Sequence, residues 1–88
     1  MDKIILTIAN QRGLHARAAA KFVKLACEFT AEIIVAKDGQ EVSGHSIMGL
    51  MMLAAAPGDQ IEMSVTGEDG VAAQNALREL VENKFEEA

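Results

Sequence analysis

Ile4-Ile5-Leu6-Thr7-Ile8 and, after a short loop, Gly13-Leu14-His15-Ala16-Arg17-Ala18-Ala19-Ala20-Lys21-Phe22-Val23 decide the fold between them. In the first run Ile4, Leu6 and Ile8 fall on one side and Ile5 and Thr7 on the other, the period of a strand with one strongly apolar face. In the second, strong helix formers begin immediately after His15, and Ala19, Phe22, Val23 and Ala26 fall on one stripe, away from Lys21, Lys24 and Glu28. The chain therefore passes from strand to helix through Asn10-Gln11-Arg12-Gly13, a loop in which Gly13 permits positive φ. The helix is predicted from about Ala16 to Cys27, with Cys27 a packed thiol beside the apolar stripe.

The same two periods continue outward. Glu32-Ile33-Ile34-Val35-Ala36 reads as a second strand. Asp38-Gly39 is a strong hairpin signal and returns the chain into a short strand, about Gln40 to Ser43. Ile47 to Leu53 reads as a short helix that Ser46 is placed to cap. A turn at Ala56-Pro57-Gly58-Asp59 leads to a fourth strand in which Ile61, Met63 and Val65 alternate with Glu62, Ser64 and Thr66. Asp69 is placed to cap a last helix with Ala73, Leu77, Leu80 and Val81 on its apolar stripe. The order is βαββαβα. Strands apolar on one face need a single covering layer, so the predicted class is α+β: a two-layer, open-faced sandwich of a four-stranded antiparallel sheet with three helices on one face.

Composition bounds the function. Eighty-eight residues suit one domain, 1–88, with one core. Half of the residues are hydrophobic but only 3% are aromatic, so the core is built from aliphatic residues, Met and three Phe. A net charge of −5 without clustered basic and aromatic residues argues against nucleic acid as a partner. The lone cysteine, Cys27, fits a reducing cytoplasm. No apolar run is long enough to span a membrane, and no membrane insertion is expected.

His15 stands where a helix's unpaired N–H groups and the positive end of its dipole meet, a ready anion site suited to phosphate. The dipole disfavours the imidazolium, which leaves a neutral, nucleophilic ring. Arg17, two residues on, adds a planar cation with several N–H donors. Spacing alone also allows a plainer reading, with His15 as an N-cap substitute and Arg17 a solvated charge. The short helix carries a second ambiguity. Ile47-Met48-Gly49-Leu50-Met51-Met52-Leu53 is apolar all round, so either some of Ile47, Met48, Met51 and Met52 form an exposed docking patch or all of them fill a core short of aromatics. His15 and His45 lack the further ligands a metal needs, and neither metal nor cofactor is expected.

Gly13-Leu14-His15-Ala16-Arg17 resembles the active-site signature of the histidine-containing phosphocarrier (HPr) family of the phosphoenolpyruvate-dependent phosphotransferase system. Ser46-Ile47-Met48-Gly49-Leu50 resembles that family's second signature, around a regulatory serine, and spacing, element order and length agree throughout. The resemblance implies that His15 accepts a phosphoryl group from enzyme I, which takes it from phosphoenolpyruvate, and passes it to an enzyme II A-type domain in sugar transport or regulation. Arg17 would stabilise the phosphoryl group and Ser46 would be the target of HPr kinase/phosphorylase. Leu14, Ala20, Ile47, Met48, Met51 and Met52 would form the docking surface. The chain is then a cytoplasmic, monomeric carrier, a substrate of other enzymes rather than an enzyme. Two departures stand out. The family usually has proline after the arginine, where this chain has Ala18, which predicts a looser first turn. Many relatives have lysine where this chain has His45. An alternative in the same fold is a regulatory binding protein that acts through Ser46 and transfers nothing, although such a protein has no need of His15.

Overall fold

The computed structural model describes residues 3–87. Its elements follow the order β1 (Lys3–Thr7), α1 (Ala16–Ala26), β2 (Glu32–Lys37), β3 (Gln40–Ser43), α2 (Ile47–Met52), β4 (Gln60–Thr66) and α3 (Gly70–Glu82). The four strands form one antiparallel sheet in the order β1-β4-β2-β3, with the three helices on one face, the predicted α+β open-faced sandwich.

Register explains why a single layer of helices suffices. Ile4 pairs with Met63, Met63 with Val35 and Val35 with Val42, so one apolar row crosses all four strands on the covered face. Adjacent residues make the opposite row, Ile5, Glu62, Ala36 and Glu41, on the uncovered face. The hairpin between β2 and β3 turns through Asp38 and Gly39 at φ 52° and 84°, the left-handed pair that a two-residue connection requires. Under the sheet, Phe22 of α1, Leu50 of α2 and Leu77 and Val81 of α3 are fully buried with Ile33, Val35, Ile61 and Met63.

Three local expectations are corrected. The Cys27 thiol is exposed, because α1 ends at Ala26 and Cys27 is its C-cap residue, off the buried stripe. Asp69 does not cap α3 with its side chain; Oδ2 instead accepts the Thr30 N–H at 2.8 Å, tying the start of α3 to the α1–β2 loop. That hydrogen bond holds the Asp69 carboxyl below the usual carboxylate range. Leu14, expected on a docking surface, is 4% exposed and belongs to the core.

After α3 the chain makes one left-handed turn. Lys84, Phe85 and Glu86 have φ of 57°, 54° and 63°, and none is glycine. An L-residue in this region costs roughly 1–2 kcal/mol. The turn persists because it drives Phe85 into the core, where its side chain is 0% exposed. Lys21 of α1 fastens the turn from outside by donating from Nζ to the Phe85 carbonyl at 2.8 Å.

Candidate functional site

His15 is the N-cap residue of α1, with extended backbone at φ −82° and ψ −178°. Its Nδ1 accepts the Arg17 backbone N–H at 3.3 Å. A nitrogen that accepts from N–H presents its lone pair to the helix start, the arrangement of a ring whose proton is on Nε2. Nε2 in turn meets Glu87 Oε2 at 2.5 Å. The first turn of α1 carries no acidic side chain, leaving the positive end of the helix open to an external anion.

The loop before His15 is set by Gly13. At φ +67° its backbone is left-handed, and a Cβ there would lie 2.4 Å from the Ala55 carbonyl oxygen. The following N–H, of Leu14, donates to that same oxygen at 2.9 Å. This bond joins the His15 loop to the segment after α2 and turns the Leu14 side chain inward. Gly13→Ala is therefore expected to destabilise the fold by roughly 1–3 kcal/mol. Denaturant unfolding measures this, and a loss below about 0.5 kcal/mol, the range of ordinary surface changes, would contradict the constraint.

Cations gather around the histidine despite the chain's net charge. Gln11, Arg12, His15, Arg17, Lys21, Glu86 and Glu87 line a shallow hollow of about 280 Å³. Arg17 is exposed, and among the described residues its guanidinium has no ion-pair partner. It is the kind of group that can follow an anion with its planar fork. A larger hollow of about 620 Å³ lies elsewhere, around Lys37 and Asp59. Lys37 there is already matched by Asp38 at 3.1 Å and Asp59 at 3.7 Å, so it offers no comparable free cation.

Ala18, which replaces the family's usual proline, is fully buried in the first turn of α1, and the helix starts at Ala16 without it.

The second signature is also set on a helix start. Ser46 is the N-cap of α2, and its Oγ accepts the Gly49 N–H at 2.9 Å. The ambiguity over α2 resolves by side. Leu50 and Leu53 are in the core, whereas Ile47, Met48, Met51 and Met52 are exposed, Met48 at 75% and Met52 at 64%. Ala20 on α1 is exposed as well, and α1 packs against α2. His45 is exposed, its N–H donating to Ser43 Oγ.

Arg12, Lys21, Asn10 and Glu87 were not singled out from the sequence. Asn10 is buried and donates from Nδ2 to the Gly13 carbonyl at 2.7 Å and to Glu87 Oε1 at 3.2 Å. A polar residue following an apolar strand and preceding a glycine turn is a weak local sign of such a role. Glu87 carries no local sign at all, because its partner is 72 residues away. The hydrogen bond from the His15 ring is the main cause that holds the Glu87 carboxyl below the usual carboxylate range. A lowered carboxyl pKa means that the pairing stabilises the fold above the ordinary glutamate value of about 4.3. The contribution is lost as pH falls through the lowered value.

A two-layer open-faced sandwich that presents an imidazole at a helix N-terminus, beside Arg12, Arg17 and Lys21, defines a class: a small carrier of an anionic group. The chain matches the family model described as "PTS HPr component phosphorylation site" over residues 3–83, and it belongs to that family, the HPr phosphocarriers of the phosphotransferase system. It is 47% identical over 87 residues to the phosphocarrier protein HPr of Neisseria meningitidis serogroup A, covering 99% of this chain and 98% of that one. Its fold superposes on a structure of HPr from Thermoanaerobacter tengcongensis with a TM-score of 0.94 at 42% identity, covering 100% of this chain and 99% of that one. A second structure, described as an HPr dimer from the same organism, matches with a TM-score of 0.79 at 42% identity over 99% of this chain and all of the other.

Proposed function

We propose that residues 1–88 act as one carrier domain. His15 Nδ1 accepts a phosphoryl group from phosphoenolpyruvate through enzyme I and passes it to an enzyme II A-type domain. The single observation that carries this reading is the Nδ1 lone pair facing the Arg17 N–H at the start of α1. A phosphoryl group on Nδ1 would occupy the space in front of those N–H groups, where the helix dipole favours its charge. The lone pair of Nδ1 attacks phosphorus while the donor's bond to phosphorus breaks and its leaving atom keeps the electron pair. The Nε2 proton stays on the ring throughout. Reversal toward an acceptor is easy because imidazole leaves readily. Arg17 supports the group with its side chain. In this reading the domain acts as a monomer.

Ile47, Met48, Met51, Met52 and Ala20 serve as the docking surface for enzyme I and the enzyme II A-type domains. Exposed methionines adapt to several partners, and these are exposed together. Ser46, at the edge of this patch, is the regulatory site of HPr kinase/phosphorylase. A phosphate there is tolerated by the helix start but places about −2 charge beside an apolar contact. Ser46→Asp isolates that effect, because Asp is as good an N-cap as Ser and the fold is retained. Titration calorimetry with enzyme I is expected to show affinity reduced roughly 10-fold; equal affinity would sink the switch. The carrier reading itself is tested by intact-mass spectrometry after incubation with phosphoenolpyruvate and enzyme I. One added phosphate that acid removes supports it. No addition, with enzyme I active on another carrier, contradicts it.

A further inference from the structure

We infer that Glu87, delivered by the left-handed turn Lys84–Glu86, is a positioning residue that holds His15 in the Nε2–H tautomer and so makes Nδ1 the attacking nitrogen. The inference rests on the carrier reading for its kinetic consequence, though not for its structural content.

Three observations converge on the carboxylate. Its Oε2 meets His15 Nε2 at 2.5 Å, a close polar contact in which the acceptor is a carboxylate. Its other oxygen, Oε1, accepts from the buried Asn10 Nδ2 at 3.2 Å, and the same Nδ2 donates to the Gly13 carbonyl at 2.7 Å. Both neighbours of that amide are acceptors, so its NH₂ must face them, and the carboxylate is held through both oxygens. The turn that brings Glu87 there runs through three consecutive non-glycine residues with positive φ, a conformation held by the burial of Phe85 and by Lys21. Strain of this kind concentrates where a side chain must be placed.

The chemical consequence follows from the ring. Neutral imidazole has one N–H and one lone pair, and the partner of one nitrogen fixes the role of the other. A carboxylate on Nε2 requires a proton there. The lone pair is then on Nδ1, facing the helix start. When Nδ1 bonds to phosphorus, the ring gains positive charge with its Nε2 proton in place, and Glu87 lies against that charge. When the phosphoryl group leaves, the P–N electron pair returns to Nδ1 and no proton need move. Without Glu87 the two tautomers compete, and a fraction of rings presents N–H instead of a lone pair at the reacting position.

Nitrogen-resolved NMR of the His15 side chain, at alkaline pH where the imidazole is neutral, reads the tautomer without any phosphoryl transfer. The wild type is expected to show Nε2–H alone, and Glu87→Ala a mixture. Glu87→Gln, whose amide oxygen can still accept from Nε2–H, is expected to restore the single tautomer. In parallel, the initial rate of His15 phosphorylation by enzyme I and phosphoenolpyruvate is expected to fall roughly 10-fold in Glu87→Ala and to recover in part in Glu87→Gln. An Nδ1–H ring in the wild type, an unchanged tautomer in Glu87→Ala, or an unchanged rate in that variant would each overturn the inference. Tautomers that behave as stated in a wild type that takes no phosphate would support the positioning of His15 and overturn the carrier reading instead.

Discussion

His15→Ala abolishes acid-labile phosphorylation by enzyme I and phosphoenolpyruvate while the fold survives. The loss is expected to reach background because no other imidazole lines the hollow. Arg12, Arg17 and Lys21 are cations; they can hold a phosphate but their protonated nitrogens have no lone pair with which to accept one. His45, the other imidazole, lies just before α2 and does not line the hollow. The fold should tolerate the change. As an N-cap, His15 contributes one hydrogen bond at 3.3 Å, and replacing even a good cap by alanine costs only about 1 kcal/mol. The measurement is intact mass before and after acid treatment, with circular dichroism to confirm that the variant is folded. Retained acid-labile phosphate in the variant would move the acceptor elsewhere and remove His15 from the centre of the carrier reading.

How far the sequence reaches depends on the length of the interaction. The strand period of Ile61, Met63 and Val65, the hairpin at Asp38-Gly39 and the cap at Ser46 are local, and each is found where its residues indicate. The junction at His15 is local too, since Gly13, His15 and Arg17 lie within one turn. The errors arise where a tertiary contact chooses between two local options. Leu14 sits next to an exposed histidine and looks like surface. The bond of its N–H to Ala55 turns the loop so that the side chain enters the core. Asp69 has a capping residue's chemistry and position, yet the Thr30 N–H takes its carboxylate. The turn at Lys84–Glu86 is the extreme case. Lys, Phe and Glu do not signal positive φ, so only the fit of Phe85 into a core closed by α1 and α3 selects it. Glu87, the group in closest polar contact with the histidine, is therefore the part of the site least visible from sequence.

That dependence makes Phe85→Ala the substitution with the largest expected effect on stability. Phe85 is fully buried and ranks with Phe22 among the largest side chains in the core. Emptying such a site costs about 3–5 kcal/mol, from the lost transfer of the ring out of water and the cavity left behind. A further element is specific to this chain. Three left-handed residues persist only while Phe85 anchors them, so once the ring is gone the turn is free to relax to ordinary backbone. Relaxation offsets some of that loss, at roughly 1–2 kcal/mol for each residue that reaches ordinary backbone, and a full release of all three would offset most of it. It also withdraws the Phe85 carbonyl from Lys21 and Glu87 from His15. Two outcomes separate these contributions. A turn that stays in place gives the full loss, and a 3 kcal/mol change lowers the melting temperature of a domain this size by roughly 12–24 °C. A turn that relaxes gives a smaller fall in melting temperature together with loss of the single His15 tautomer. Calorimetry and the side-chain NMR of His15, measured on the same variant, distinguish the two. A small fall in melting temperature with the His15–Glu87 contact intact would mean that the ring neither stabilises the core nor holds the turn, and would break the link between the packing of α1 against α3 and the chemistry at the head of α1.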